Sequence, residues 1–177
     1  MKEQKHKALA IPVSFTGDRP IFLTVRDRRF KDWLFVSGGC RRKEVPCPMR
    51  CALRELEEET RGVLNIKSGL YTSFTFETAD DMYDIIYHVF IFFIKVDTHE
   101  QQNMIKQFND EKAKVEIRKR DKLPVKRTYD ENDFMSFDTL ESFNRKKKWD
   151  LITDKVLNNP DFYTALNSLN RKSFNIR

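Results

Sequence analysis

Three glutamates, Glu55, Glu58 and Glu59, fall within the run Arg54-Glu55-Leu56-Glu57-Glu58-Glu59. On a helix, at about 100° per residue, all three lie in one narrow sector, with Glu57 turned to another side. Arg54 lies one turn before Glu58, within pairing reach. Three carboxylates on one face repel each other unless a cation offsets them. Hard divalent cations such as Mg2+ or Mn2+ take oxygen ligands and sit among carboxylates, water and phosphate. Such a face suits neutralisation of a pyrophosphate and activation of a water for attack on phosphorus. By itself an E-x-x-E-E run is most often a solvated acidic surface, so its meaning depends on the elements that hold it.

Those elements can be read from periodicity and punctuation. Ala8 to Phe15 and Ile21 to Val25 read as strands around a turn at Thr16-Gly17-Asp18. Trp33 to Val36 reads as a short strand ending at Ser37-Gly38-Gly39. A helix starts at Pro46 or Pro48 and runs to about Thr60, with Gly62 just past its end. Met49, Leu53, Leu56 and Thr60 form its packing face. Ser73 to Glu77 and Asp84 to Val96 are further strands. Residues 100–119 are charged and helix-compatible, a candidate insertion or lid that extends to residue 127. Lys122 to Arg127, with Pro124, reads as extended loop. A strand at Asp133 to Phe137 precedes helical patterns from Asp138 to Asn158, and Asn159-Pro160 opens a last helix. Strands mixed with helices over 177 residues predict a single α/β or α+β domain.

Trp33-Leu34-Phe35-Val36-Ser37-Gly38-Gly39 followed by Arg54-Glu55-Leu56-Glu57-Glu58-Glu59 resembles the Nudix box, whose core is R-E-U-x-E-E with U aliphatic. The resemblance implies an α/β/α sandwich with a mixed sheet, here with additional C-terminal helices over residues 138–177. It implies a hydrolase that cuts a diphosphate bond in a nucleoside-diphosphate-linked substrate with Mg2+ or Mn2+. By the same resemblance Glu55, Glu58 and Glu59 are the metal ligands and belong to the catalytic set. Arg54 orients a glutamate by a salt bridge, and Gly39 is the loop glycine at the substrate. The sequence departs from the box in three places. From Gly39 the family spacing to its first glutamate reaches Val45, with Glu44 the nearest acid. The family glycine after E-E-x falls on Arg61, with Gly62 one residue late. Ser37-Gly38-Gly39 stands for Pro-Gly-Gly.

Nudix enzymes commonly add a carboxylate from a late loop. The segment from Asp130 to Leu140 resembles that region, which makes Glu131 the first candidate for a catalytic base and Asp133 the second. Asp80, Asp81 and Asp84 are weaker alternatives. Arg28, Arg41 and Arg42 flank the box and carry guanidinium forks suited to phosphate oxygens. Two further basic runs, Arg118 to Arg127 and Arg145 to Lys148, lie outside it.

Lys and Arg number 33 against 27 Asp and Glu, a net charge of +6, which favours anionic partners. Phosphate neutralisation by several Lys and Arg would hold an RNA body. The first-choice substrate is therefore the 5′ cap of mRNA. The alternatives are ADP-ribose, dinucleoside polyphosphates, nucleoside triphosphates and diphosphoinositol polyphosphates, or an inactive module that binds RNA or protein. Cys40, Cys47 and Cys51 make neither a disulfide framework nor a paired zinc pattern. The longest apolar run, Ile85 to Ile94, is too short to span a membrane. Residues 1–7 are polar and basic, with no apolar h-region of a secretory signal expected behind them. The expectation is a reducing, cytoplasmic protein.

Overall fold

The computed structural model describes residues 2–66 and 69–177. A seven-stranded sheet is built from β1 (Glu3–Thr16), β2 (Arg19–Asp27), β3 (Trp33–Leu34), β4 (Val36–Gly39), β5 (Tyr71–Ala79), β6 (Tyr83–Phe93) and β7 (Asn132–Thr139). β1 runs parallel to β6 along 11 residue pairs, while the remaining pairings are antiparallel. The other edge of β1 is shared. Lys7 to Ala10 pair with β4, and Val13 to Thr16 pair with β2 through the turn in which Gly17 adopts φ 63°. β7 closes on β2, so a strand late in the chain lies beside one of the first.

The two-residue period of β1 decides what covers each face. Leu9, Ile11 and Val13 point to one side and pack with Phe22, Phe35, Phe143, Ile152 and Phe162. Ala8 and Ala10 point to the other and meet Cys51, Ala52 and Leu56 of α1 (Pro48–Glu59), with Phe108 of α2 (Thr98–Arg120). The first face is covered by α3 (Leu140–Asn144), by α4 (Asp150–Ile152) running on into a π-helical turn to Leu157, and by α5 (Pro160–Ser173). The result is a mixed sheet between helical layers. The small side chains of Ala8 and Ala10 let α1 lie close against the sheet.

Most element expectations hold, with three corrections. The strand read as Trp33 to Val36 is broken at buried Phe35, and the chain changes partner there, from β2 to β1. Lys122 to Arg127 is a turn and loop that tightens into a 3-10 turn at Arg127–Asp130. The helical pattern from Asp138 starts one residue after Thr139, whose hydroxyl caps α3 by accepting from Ser142 N. Asn159 caps α5, with Pro160 in its first turn. No described helix is long and apolar enough to cross a membrane.

Candidate active site

α1 begins at Pro48, which suits a first turn because its missing N–H is unpaired there anyway. It ends with Arg61 and Gly62 both in the left-handed region, at φ 55° and 75°. Gly62 N returns to Glu57 O at 2.8 Å and Arg61 N to Glu58 O at 3.2 Å, which satisfies carbonyls a helix end leaves open. Within this frame Glu55 and Glu59 are buried and Glu58 is half-buried.

Each carboxylate is held from a different direction. Glu59 accepts from Ser37 N at 2.8 Å and from Asn132 Nδ2 at 3.4 Å, so β4 and β7 both fix it. Glu55 lies directly over Gly38, where a Cβ would come within 2.0 Å of its carboxyl carbon. Gly38 is thus the position that demands glycine. Gly39, the glycine expected from sequence, has open space above it and contributes its carbonyl, which accepts from Arg54 Nη2 at 3.0 Å.

Arg54 joins the group. Its guanidinium bonds Glu44 twice, at 2.9 Å through Nε and 2.9 Å through Nη2. Nη1 reaches Glu55 at 2.8 Å and Glu58 at 3.2 Å. Glu44 also accepts from Arg41 N at 2.8 Å, and the hydrogen bonds from Arg54 hold its carboxyl down at about 2. Glu44 is therefore a buried anchor for Arg54, and its short 3-10 turn (Arg42–Glu44) together with Pro46-Cys47-Pro48 absorbs the altered spacing of the box.

The unsatisfied charge lies on the acids. Burial, then Glu58 and Glu131, push the Glu55 carboxyl up to about 7 against the opposing pull of Arg54. Burial, with Glu55 and Glu131 adding to it, raises Glu59 well above the carboxylate range. Glu131 is raised by partial burial first and Glu58 second. Glu131 lies at the entrance to β7, next in sequence to Asn132, which bonds Glu59. Asp133 serves elsewhere. It accepts from Arg26 at 2.9 and 2.8 Å and from Lys31 at 2.7 Å. Burial would lift its carboxyl, but these bonds outweigh it and keep it at about 2. Asp80 accepts from the turn N–H groups of Met82 and Tyr83, away from the site.

Among the described residues no three acidic, His or Cys side chains already stand together as a closed ligand set. Arg54 lies between Glu55 and Glu58. The donor set is nonetheless all carboxylate oxygen, which matches a hard divalent cation, and repulsion among buried acids is what such a cation would relieve.

The expected phosphate contacts divide. Arg41, with its side chain 55% exposed, places Nη2 3.9 Å from Glu58. Arg28 pairs with Asp130 at 3.1 Å, and its backbone N donates to Glu131 O at 2.9 Å. Arg42 is exposed at the start of the short turn before α1. Lys146 and Lys148 of the last basic run are used internally, on Asp138 and on three carbonyls.

Sequence reasoning missed Asn132 and the role of Arg61. Arg61 is 4% exposed and donates to Tyr129 O at 2.6 Å, Asn132 O at 2.5 Å and Phe108 O at 3.4 Å, with its guanidinium over the Phe108 ring. It ties the end of α1 to the segment carrying Glu131. The one visible signal was a charged residue where the box has glycine.

No curated protein matches the sequence. Among solved structures, a Listeria monocytogenes protein described as a NUDIX hydrolase aligns at TM-score 0.52 and 16% identity, covering 96% of this chain and 94% of that one. The NUDIX domain of Shewanella oneidensis NrtR, solved with ADP ribose, aligns at 0.53 and 9%, covering 100% and 91%. The C-terminal domain of mouse MUTYH, solved with human PCNA, aligns at 0.52 and 12%, covering 95% and 90%. At these identities the likeness is one of fold. The NUDIX domain model matches residues 4–138, well over half of the chain and all of the acid cluster, and the chain belongs to the Nudix family of hydrolases acting on phosphoric anhydride bonds.

Proposed function

We propose that the chain is a metal-dependent pyrophosphohydrolase of nucleoside-diphosphate-linked substrates, that the 5′ cap of mRNA is its first substrate, and that it works in the reducing cytoplasm. The observation that carries the activity is the carboxylate face of α1, where Arg54, already doubly bonded to Glu44, reaches Glu55 and Glu58 together while Glu59 is held by Ser37 and Asn132.

Glu55, Glu58 and Glu59 would hold Mg2+ or Mn2+, which supplies neutralisation of the diphosphate and a more acidic bound water. Arg54 keeps Glu55 and Glu58 pointed at that spot. Ser37 N and Asn132 fix Glu59. Glu131, raised in pKa and partly solvated, takes the proton of the attacking water. Arg41 and Arg42, in the loop after Gly39, and Arg28, beside Asp130 and Glu131, bind phosphate oxygens. Support for an RNA body comes from exposed Arg118, Arg120, Lys122, Arg145 and Lys147; Lys146 and Lys148 are committed to the fold.

The test is a panel of capped RNA, ADP-ribose, a dinucleoside polyphosphate, a nucleoside triphosphate and a diphosphoinositol polyphosphate. Nucleotide or phosphate release is followed with and without Mg2+ or Mn2+. Cap release from RNA should exceed turnover of every small substrate and fall steeply with salt. Preferential hydrolysis of a small substrate, with RNA failing to compete, removes the decapping assignment. Absence of metal-dependent release across the panel removes the catalytic one and leaves a binding module.

A further inference from the structure

The turn from Asp27 to Asp32 joins β2 to β3 and forms one wall of a cavity of about 410 Å³, lined by Asp27, Phe30, Asp32, Leu34 and Trp149. Its walls are largely aromatic and aliphatic carbon, and Phe30 is 64% exposed. One oxygen of Asp32, Oδ1, is buried and accepts no hydrogen bond. The nearest cation is Lys147, 3.4 Å away on a side chain 79% exposed. Lys147 Nζ approaches that oxygen without hydrogen-bond geometry, so its hydrogen-bonding need is poorly met; Asp32 lines the cavity together with Phe30 and Trp149, a combination that describes a ligand: a flat, largely apolar ring carrying N–H donors on one edge.

The turn is rigid before any ligand arrives. Phe30 N donates to Asp27 Oδ2 at 2.5 Å, Lys31 N to Asp27 O at 2.9 Å, and Asp27 N to Asp32 O at 2.9 Å. Lys31 adopts φ 61°, a strained backbone for a side-chain-bearing residue, and its ammonium is tied to Asp133 at 2.7 Å. The turn also abuts the acid cluster. Asp27 pairs across the sheet with Asn132, which bonds Glu59, and Arg28 N donates to Glu131 O.

We propose that this cavity binds the nucleobase of the substrate and selects guanine. Guanine presents adjacent N1–H and N2–H donors that a carboxylate accepts together. Adenine offers a single exocyclic donor beside a ring acceptor, which would face Asp32 in repulsion. Phe30 and Trp149 supply ring faces for stacking, and the diphosphate then extends past Asp27 toward Glu131 and α1. The assignment rests on the proposed pyrophosphohydrolase reading, and binding without turnover separates the two.

In the presence of a chelator, quenching of tryptophan fluorescence by GDP, 7-methyl-GDP and ADP would be titrated on the full chain, with calorimetry as a check. GDP should bind at least about tenfold more tightly than ADP, as expected where a buried acceptor discriminates by hydrogen bonding. Asp32→Asn should abolish that preference, and Phe30→Ala should weaken all three ligands while the preference survives. A stronger hold on 7-methyl-GDP would mark the cap as the source of the guanine; equal or weaker binding would mark free guanine nucleotides, the base assignment standing in either case. Equal affinity for GDP and ADP in the wild type, or an undiminished preference in Asp32→Asn, overturns the proposal, even if Mg2+-dependent hydrolysis of another nucleotide proceeds. Guanine-selective binding with no hydrolysis of any panel substrate leaves the cavity assigned and removes the enzymatic reading.

Discussion

Replacing Gly38 with alanine should separate folding from catalysis. Gly38 is in extended backbone, not in the left-handed region, so alanine is acceptable to the main chain. The obstacle is Glu55, whose carboxyl carbon would lie 2.0 Å and whose oxygens 2.2 and 2.4 Å from the new Cβ. These atoms are the end of a flexible side chain, so the chain yields by swinging the carboxylate aside. Restoring ordinary contact requires a retreat of roughly 1.4 Å. A misplacement of ~1 Å at a reacting centre costs on the order of 100-fold in rate, or about 2.7 kcal/mol of barrier. Stability should scarcely move. Ordering of the unfolded chain by alanine contributes about 0.4–1 kcal/mol, and the disturbed Arg54–Glu55 pair offsets a similar amount. The assay is kcat and KM on whichever panel substrate is turned over, with Mn2+ affinity by electron paramagnetic resonance and a thermal melt. The expected result is a kcat lower by about two orders of magnitude, weakened Mn2+ binding and a melting temperature within a few degrees of wild type. Gly39→Ala meets open space and should lose far less. Full turnover in Gly38→Ala would refute the placement of Glu55 in the site, and a collapse of stability would refute the claim that the side chain absorbs the clash.

Glu58→Gln and Glu59→Gln keep shape and remove charge, so each should lower turnover by orders of magnitude at saturating Mg2+ while the melt stays cooperative; near-normal rates in both would dismiss them as ligands. Arg54→Lys keeps the charge but loses the fork that spans Glu44, Glu55, Glu58 and the Gly39 carbonyl, and kcat should fall roughly tenfold to a hundredfold, with wild-type kinetics arguing for a surface role. Glu131→Gln should reduce kcat with little change in KM, whereas Asp133→Asn should reduce the melting temperature; the reverse pattern would exchange the two acids. The Asp133 carboxyl is depressed from 3.8 to about 2 in the folded state. Its contribution is therefore complete above pH ~4 and disappears as pH falls toward 2, worth about 1–2 kcal/mol after allowing for half-exposed Lys31. Denaturant titrations at pH 2.5 and 5 should show wild type and Asp133→Asn converging at the lower pH.

The helix carrying Glu55, Glu58 and Glu59 was legible because its information is local. Glu55, Glu58 and Glu59 share a face by helical period alone, and Pro48 and Gly62 mark its ends. Strands β1, β2, β5 and β6 and the cap at Asn159 were legible for the same reason. What escaped depends on contacts distant in sequence. Phe35 breaks a strand because the chain there exchanges β2 for β1, and no local pattern encodes a change of partner. Asn132 acts on Glu59 across 73 residues, and Arg61 acts on carbonyls up to 71 residues away. Gly38 and Gly39 are indistinguishable as letters; only the position of Glu55 above one of them tells which must lack a Cβ. The ion pairs that Asp133 makes with Arg26 and Lys31 were equally hidden, because the proximity of Arg26 to Asp133 follows from β2 pairing with β7.

The buried guanidinium at the end of α1 has a mechanical consequence. Arg61 clasps Phe108, Tyr129 and Asn132 at once, so the last turn of α1, the middle of α2 and the entrance to β7 open together or not at all. In native-state hydrogen exchange the amides of Leu56 to Thr60 and those of Asp133 to Met135 should share one opening free energy, as parts of a single cooperative unit. Glycine at position 61 would relax the backbone but release the clasp. The two segments would then exchange independently, and the segment carrying Glu131 would fluctuate on its own schedule relative to the helix carboxylates.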